Sequence, residues 1–245
     1  MEAKFIDINV DVGEGIGNES ILMPIISSCN IACGGHAGDS ESMRMIVKLA
    51  TANNVKIGAH PSFPDKANFG RKQMDISCAA LYTSIKGQID NLMTILEQEN
   101  TRLNHVKPHG ALYNDMVANE QLAEQVVQLI KSIDPNLKIM TLAHSQVIDI
   151  CKKNEMPFIQ EGFADRRYQK INQLRNRRLE GAVLENSNDV LEQIQNFIDG
   201  KVQLYNLEYF PIQVQSICLH SDTKGAVNLS RMIHDFLKEK NIAIA

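Results

Sequence analysis

The chain has 245 residues, of which 44% are hydrophobic, and its 25 basic and 29 acidic residues give a formal net charge of -4. This composition is typical of a globular protein and excludes an intrinsically disordered chain. Because the charges are nearly balanced and form no long block of one sign, nucleic acid is not an expected partner.

Short runs of apolar or β-branched residues predict seven strands, at residues 5–12, 29–33, 55–59, 106–108, 137–142, 158–163 and 216–219. Segments with an apolar residue every three or four positions predict helices between them, notably at residues 85–96, 122–133, 191–198 and 229–236. Strand alternates with helix throughout, and no Pro-rich or Gly/Ser-rich linker interrupts the pattern. We therefore expect parallel strands in a single domain over residues 1–245.

The first predicted strand favours a closed barrel over an open sheet. Its alternation puts Asp7, Asn9 and Asp11 on one face and apolar residues on the other. A central strand of an open doubly wound sheet would be apolar on both faces, because helices cover both. A barrel strand can instead turn its apolar side to the helices and its polar side to the barrel mouth, so the sequence predicts an α/β barrel.

Polar residues and tight-turn glycines follow the strand ends, at residues 11–14, 30–39, 58–61, 107–110, 161–166 and 219–222. In a parallel barrel the carboxyl ends of all strands converge on one mouth. We therefore predict a site of carboxylates, histidines and a lysine there. For Asp39, which precedes a predicted helix, a helix-capping role is an equal alternative.

A metal site is left open by the sequence, because histidine and aspartate are common metal ligands. His105 and His109 form the one HxxxH pair, but four residues of a strand span about 13 Å, too far for both to bind one ion. If an ion is bound, the candidate ligands are Asp11, His36, His60 and His109.

Other common signatures are missing from the sequence, namely the GxxxxGK[ST] and GxGxxG nucleotide loops and the GxSxG nucleophile elbow. Cys33 is interpreted as a buried packing residue and not as a nucleophile. Five dispersed cysteines without a CxxC pair indicate a reducing compartment. Since no signal peptide or run of about 18 apolar residues is present, we expect a cytoplasmic protein without a membrane partner.

Six motifs resemble, in the same order, those of the LamB/YcsF family, the A subunits of prokaryotic ATP-dependent 5-oxoprolinase. They are residues 7–14 (DINVDVGE), 30–39 (NIACGGHAGD), 58–65 (GAHPSFPD), 68–71 (NFGR), 106–114 (VKPHGALYN) and 161–166 (EGFADR) with Tyr168. The resemblance runs essentially from end to end. Two positions depart from the family pattern: Ser221 stands where a glycine is usual, and Ile171-Asn172 replaces Asp-Gly in a loop near Arg177.

The resemblance implies a TIM-like (β/α)7 barrel related to glycoside hydrolases and polysaccharide deacetylases. It also implies that 5-oxo-L-proline is opened to L-glutamate at the expense of ATP with Mg2+, together with separate B and C subunits. A lactam is a resonance-stabilised amide, so attack by water needs an activated carbonyl, which ATP provides by phosphorylating the amide oxygen. Self-association into a homo-oligomer is left open.

Candidate roles follow for the strand-end residues. The candidates for catalysis are Asp11, Glu14, His60, Lys107 and His109. The candidates for binding substrate or phosphate are Asn9, His36, Asp39, Arg71, Asn114, Glu161, Asp165, Arg166, His220 and Asp222. Lys107 and Arg71 are expected to hold phosphate or carboxylate charge. Asp11, His60 or His109 is expected to move protons during attack on the activated carbon.

Two alternatives come from other classes of protein. One is a stand-alone, metal-dependent deacetylase or amidohydrolase of the related barrel class. The other is a non-catalytic subunit that only holds the substrate for its partners. Elemental analysis distinguishes the first alternative, and a catalytic-site substitution that spares substrate binding distinguishes the second.

Overall fold

A computed structural model describes residues 5–223 and 225–245 of the chain. Its strands are β1 (Phe5–Val12), β2 (Ser28–Ala32), β3 (Lys56–His60), β4 (His105–Val106), β5 (Lys138–Leu142), β6 (Phe158–Phe163), β7 (Tyr168–Lys170), β8 (Gln173–Leu174), β9 (Lys201–Gln203), β10 (Tyr209–Pro211), β11 (Ser216–Cys218) and β12 (Ala243–Ile244). Its α-helices are α1 (Glu19–Leu22), α2 (Ser40–Ala52), α3 (Cys78–Gln98), α4 (Gly110–Ala118), α5 (Glu120–Ile133), α6 (Gln146–Lys153), α7 (Ser187–Ile198) and α8 (Ala226–Glu239). Short 3-10 helices lie at Met23–Ile25 and Lys66–Asn68.

Seven of these strands close into a parallel barrel. Strands β1 to β6 follow one another around it in chain order, and β11 fills the gap between β6 and β1. Ser216 of β11 lies opposite Asp7 of β1 on one side and opposite Glu161 of β6 on the other. Strand β12 pairs with the first residues of β1, at the amino end of the barrel. The predicted (β/α)7, TIM-like fold class is confirmed.

The apolar faces of the strands pack against the surrounding helices. Ile8 and Val10 of β1 and Ile85 and Ile89 of α3 are at most 1% exposed. They belong to a hydrophobic cluster that includes residues from all seven barrel strands. Each fully buried aliphatic side chain of this kind contributes about 1.5–3 kcal/mol, so the layer between strands and helices holds the barrel together.

The other face of β1 lines the barrel interior with polar groups, as its alternation predicts. Near the amino end, Asp7 accepts a hydrogen bond of 2.6 Å from Ser28 Oγ. One layer higher, Asn9 Nδ2 donates to Ser216 Oγ over 2.8 Å. Asp11 occupies the next layer, at the mouth. Buried polar groups are costly without partners, so these hydrogen bonds are what allows a polar barrel interior.

Two details of the barrel differ from the predicted elements. Strand β4 ends at Val106 and not at residue 108, because Pro108 has no N–H for a strand ladder. Between β6 and β11, two small antiparallel pairs, β7 with β8 and β9 with β10, accompany the predicted helix α7. Strands of two or three residues carry too little periodicity to be detected in a sequence.

None of the helices within residues 5–223 and 225–245 combines the length and the apolar character that a membrane span needs.

Candidate active site

The centre of the candidate site is the ammonium group of Lys107, which is 2% exposed inside the barrel mouth. Its Nζ lies 3.0 Å from Asp11 Oδ1 and 2.7 Å from Glu161 Oε1. Burial lowers the pKa of Lys107, but Asp11, Cys218 and Glu161 outweigh burial and hold that pKa well above its usual value. Burial raises the pKa of Asp11, whereas His60 and Lys107 lower it well below its usual value. Asp11 and Lys107 are therefore both charged at neutral pH.

Further groups complete the surroundings of the ammonium. Lys107 Nζ donates to Asn9 Oδ1 and to Cys218 Sγ, each over 3.2 Å. Tyr113 Oη donates to the second carboxylate oxygen of Glu161 over 2.8 Å. Since an ammonium has only three donors, the protein itself already engages all of them. Lys107 is thus better suited to fix two carboxylates than to bind a phosphate.

A chain of hydrogen bonds beneath the ammonium orients Asp11. His105 Nε2 lies 2.7 Å from Asn30 Oδ1, and Asn30 Nδ2 donates to Asn9 Oδ1 over 2.9 Å and to Asp11 Oδ1 over 2.8 Å. Burial, assisted by the charge of Lys107, lowers the pKa of His105 to about 3. The neutral His105 ring donates to the amide oxygen of Asn30, which leaves the amide N–H groups of Asn30 to hold Asp11 in place.

Three imidazoles from successive strand ends cluster beside this ion pair. His109 Nδ1 lies 3.0 Å from His60 Nε2, and the ring of His36 stacks on that of His109 with centroids 3.6 Å apart. Glu14, from the loop after β1, places Oε1 3.0 Å from His36 Nε2 and 3.4 Å from His109 Nδ1. His60 Nε2 is also 3.4 Å from Asp11 Oδ2, so the cluster and the ion pair form one site.

The three rings differ in charge. Burial lowers the pKa of His36, and burial together with the charge of His60 lowers the pKa of His109 well below its usual value. Burial also lowers the pKa of His60, but Asp11 outweighs burial, and the pKa of His60 is raised. Of the three rings, His60 therefore holds a second proton most readily, and it lies directly beside the ionised carboxylate of Asp11.

Two glycines permit the close packing around the histidines. Gly70 has a φ of 62°, and a Cβ there would lie 3.0 Å from His109 Cδ2 and 3.0 Å from His36 Cβ. Gly110 has a φ of 56°, and its Cβ would lie 2.5 Å from the carbonyl oxygen of Gly70. Both positions require glycine. The tight loop also presents the carbonyl oxygen of Phe69 3.0 Å from His109 Nε2.

A histidine and a carboxylate lie on the opposite side of the mouth. His220 Nδ1 is 3.0 Å from Asp165 Oδ1, and Asp165 is fully buried. Burial raises the pKa of Asp165, but His220, a hydrogen bond from Thr223 and the charge of Arg166 leave it below its usual value. The ionised Asp165 thus fixes the orientation of the His220 ring.

Two arginines and one carboxylate form the outer rim. Asp222 accepts from Arg71 Nη2 over 2.7 Å and from Arg177 Nη1 over 3.1 Å, and all three side chains are partly exposed. Arg166 lies deeper, where Nη2 donates to the carbonyl oxygen of Arg175 over 2.6 Å and Nε lacks a hydrogen-bond partner among the described residues. Two arginines against one carboxylate leave the rim with positive charge that suits a carboxylate or a phosphate.

Two of the predicted binding residues lie apart from this constellation. Asp39 is exposed and caps α2, because its carboxylate accepts from Ser42 N over 2.8 Å in a reciprocal capping box. Asn114 is exposed on α4 and donates to Gly110 O over 3.0 Å. Within the described ranges neither side chain forms a hydrogen bond or an ion pair with the clustered residues.

The capping role of Asp39 is testable by thermal unfolding. Asp39→Ala is expected to lower the melting temperature by about 2–4 °C, because the N–H of Ser42 in the first turn of α2 loses its side-chain acceptor. Asp39→Asn, which keeps a good capping side chain, is expected to restore it. Equal melting temperatures for the alanine variant and the unchanged chain would contradict the capping role.

In the described part of the chain, two groups of side chains have ligand atoms within 4.8 Å of one another, as a shared metal ion requires: Glu14, His36, His60 and His109, and separately Asp11, Cys218 and His220. The sequence names Asp11 together with the three histidines. The structure puts Glu14 in that place and assigns Asp11 to the second group. His105 belongs to neither of these two groups.

The thiol of Cys33 is buried, and burial raises its pKa to about 12. A protonated, inaccessible thiol is a poor nucleophile. This supports the interpretation of Cys33 as a packing residue.

Several groups of the site were not singled out as functional residues from the sequence: Asn30, Phe69, Tyr113 and Cys218. Asn30 and Cys218 could have been found from strand alternation, since β2 and β11 pair in register with the polar face of β1. Tyr113 could have been found from helical spacing after His109. Phe69 acts through its backbone carbonyl, which no side-chain pattern reveals.

The closed barrel with acidic, basic and imidazole groups at the carboxyl ends of its strands defines an α/β-barrel protein with a cluster of ionisable side chains at its mouth. The chain belongs to the LamB/YcsF family, whose sequence model matches residues 6–245. It is 38% identical over 242 residues to proteins named as the A subunit of 5-oxoprolinase from Haemophilus influenzae strains PittEE and 86-028NP. The alignment covers 98% of this chain and 99% of each relative.

Solved structures support the same fold. A lactam utilization protein from Thermus thermophilus superimposes with a TM-score of 0.90 at 29% identity, covering 98% of both chains. A GH113 β-1,4-mannanase superimposes with a TM-score of 0.56 at 13% identity, covering 96% of this chain and 99% of its own. At that identity the mannanase is informative about the barrel alone.

Proposed function

We propose that this chain is the A subunit of a cytoplasmic, ATP-dependent 5-oxoprolinase that opens 5-oxo-L-proline to L-glutamate together with B and C subunits. The observation that carries the proposal is the 38% identity, over nearly the full length of both chains, to proteins named as the A subunit of 5-oxoprolinase. A protein with that name belongs to an assembly. Because the common nucleotide-binding loops are missing from this sequence, ATP binding is assigned at least in part to a partner subunit.

The rim arginines fit the charges of this reaction. The substrate carries a carboxylate beside its lactam ring, and activation by ATP with Mg2+ adds phosphate groups. Arg71 and Arg177 are partly exposed and, among the described residues, share the one carboxylate of Asp222, so either can turn a guanidinium to an incoming anion. Lys107, in contrast, would act on the reaction by holding Asp11 and Glu161.

Asp11 and His60 fit the two proton transfers. Attack of water on the activated carbonyl carbon requires a base, and expulsion of the ring nitrogen as an amine requires an acid. Ring opening leaves an acyl phosphate, which a second water hydrolyses to glutamate and inorganic phosphate. Asp11 is ionised and oriented from below by Asn30, so it takes the role of base. The pKa of His60 is raised, so His60 holds a second proton more readily than His36 or His109. It lies 3.4 Å from Asp11 and takes the role of acid.

A metal-dependent amidohydrolase is the second candidate function, favoured by the group formed by Glu14, His36, His60 and His109. Such an enzyme would open an amide without ATP, because a bound ion can polarise the carbonyl and activate water. ATP dependence of the reaction therefore separates the two candidates.

The test is release of glutamate from 5-oxoproline by this chain alone and mixed with candidate B and C subunits, with and without Mg-ATP. We expect glutamate only in the complete mixture with ATP. Release without ATP by this chain alone would favour the amidohydrolase. No release in any mixture of folded proteins would overturn the proposed function.

A further inference from the structure

We propose that the barrel mouth binds one divalent ion of the zinc type through Glu14 Oε1, His60 Nε2 and His109 Nδ1, with His36 as a positioning residue for Glu14. This inference does not rest on the proposed function, which gives His60 the role of acid in the site without an ion. It depends on hydrogen-bond roles and distances within the described residues. It assigns a ligand triad of two imidazoles and one carboxylate.

The hydrogen bonds of the two rings determine which nitrogens are free. His60 Nδ1 lies 2.6 Å from the carbonyl oxygen of Lys107, and His109 Nε2 lies 3.0 Å from the carbonyl oxygen of Phe69. A carbonyl oxygen only accepts, so both of these nitrogens carry hydrogen. A metal ion binds only deprotonated imidazole nitrogens, so it would displace a proton from His60. The two rings then present lone pairs at His60 Nε2 and His109 Nδ1, which face each other at 3.0 Å.

Without an ion, a proton on His60 Nε2 can bridge to His109 Nδ1, and a metal ion beside both nitrogens would take the place of that proton. The third atom is Glu14 Oε1, 3.4 Å from His109 Nδ1 and 3.8 Å from His60 Nε2. A point equidistant from the three atoms lies about 2.0 Å from each, which is the metal–ligand distance of zinc sites. The triangle of ligand atoms thus already has the size that such an ion requires.

The neighbours of the triad are those that metal ligands need. Metal-bound histidines usually donate their other N–H to a carbonyl or carboxylate, and His60 and His109 both do so to backbone carbonyls. The carboxylate has a partner too, since His36 Nε2 lies 3.0 Å from Glu14 Oε1. Three protein ligands leave a coordination position for water or substrate, as in catalytic zinc sites.

The second group of potential ligands is already occupied by a cation. Lys107 Nζ lies 3.0 Å from Asp11 Oδ1 and 3.2 Å from Cys218 Sγ. An ion at Asp11, Cys218 and His220 would meet that ammonium at close range and be repelled. The inference therefore places the ion at the triad containing Glu14 and leaves Asp11 outside its ligands.

The experiment is equilibrium dialysis of the metal-free full-length chain against Zn2+, with elemental analysis, and titration with Co2+ followed by visible absorption. We expect one equivalent of Zn2+ per chain and the intense absorption of four-coordinate Co2+. His109→Gln is expected to weaken binding at least about 100-fold, and His36→Gln, which removes a partner of a ligand, about 10-fold.

The matched control is His144→Asn, an exposed histidine that belongs to neither group of potential ligands and has a φ of 61° that asparagine tolerates. It is expected to bind both ions as the unchanged chain does, and circular dichroism establishes that each variant is folded. Failure of the unchanged chain to bind either ion stoichiometrically would overturn the inference, as would undiminished binding by folded His109→Gln. Glutamate release is not part of this readout, so the two proposals fail separately.

Discussion

Lys107→Met is expected to lower the unfolding free energy by about 3–5 kcal/mol at pH 7, because it leaves two buried carboxylates without their cation. Lys107 is 2% exposed, and its ammonium lies within 3.0 Å of both Asp11 and Glu161. Methionine matches the length of the side chain without its charge, so loss of packing contributes little. Urea unfolding followed by circular dichroism measures the effect.

The control for this substitution is Lys48→Met. Lys48 also neighbours a carboxylate, that of Glu99 at 3.7 Å, but its side chain is 62% exposed. Exposed ion pairs contribute about 0–1 kcal/mol, so the control is expected to unfold at nearly the same urea concentration as the unchanged chain. Adding Glu161→Gln to Lys107→Met is expected to recover part of the loss. Equal effects at the two lysines would contradict the buried ion pair.

The difference between Lys107→Met and the unchanged chain is also expected to depend on pH. In the unchanged chain the pKa of Asp11 is held below its unfolded value, so the ion pair stabilises the fold above about pH 4 and that stability is lost as pH falls through the folded pKa. Without Lys107, His60 still lowers the pKa of Asp11, but one of the charges that oppose burial is gone. The pKa of Asp11 is therefore higher in the variant, and protonation of Asp11 relieves the variant as pH falls. The difference should therefore shrink below about pH 5, and urea unfolding at about pH 4 and pH 7 checks it.

The sequence predicts the barrel because the alternation of polar and apolar residues along a strand is a local pattern that can be read without coordinates. The alternation of Asp7, Asn9 and Asp11 with apolar residues is enough to separate a barrel strand from a strand of an open sheet, and those three residues do line the interior. The convergence of strand ends at one mouth then follows from the topology. The barrel strands and the gathering of Lys107, His60 and His109 at the mouth could thus be predicted.

The partner of each side chain could not be predicted in the same way. Lys107 is 96 positions from Asp11 in the sequence, and which carboxylates it meets depends on barrel register and side-chain rotamers. Which ring nitrogen of His109 carries hydrogen is set by the backbone carbonyl of Phe69. Any residue at position 69 would have such a carbonyl, so the residue type gives no signal. The sequence therefore predicts which residue types reach the mouth. Their hydrogen-bond partners, which give each of them a role, can be identified only from the three-dimensional structure.

Asp11→Asn is expected to reduce ATP-dependent glutamate release, measured with B and C subunits, by about 100-fold to 10,000-fold. Asparagine has the same shape and can still accept a hydrogen bond from Lys107 Nζ, now 3.0 Å from Asp11 Oδ1. It has no basic oxygen to take a proton from water. Binding of 5-oxoproline, measured by calorimetry, is expected to change far less than turnover, because the rim arginines are untouched.

The matched control is Asp149→Asn, which makes the same chemical change at a side chain that is 82% exposed on α6. Its glutamate release is expected to equal that of the unchanged chain. If Asp11→Asn retained full release, Asp11 would not be the base, and a subunit that only holds substrate for its partners would become the better description. If it lost binding and turnover together, Asp11 would belong to the binding of the substrate. Loss of turnover with binding retained would place the chemical step in this barrel.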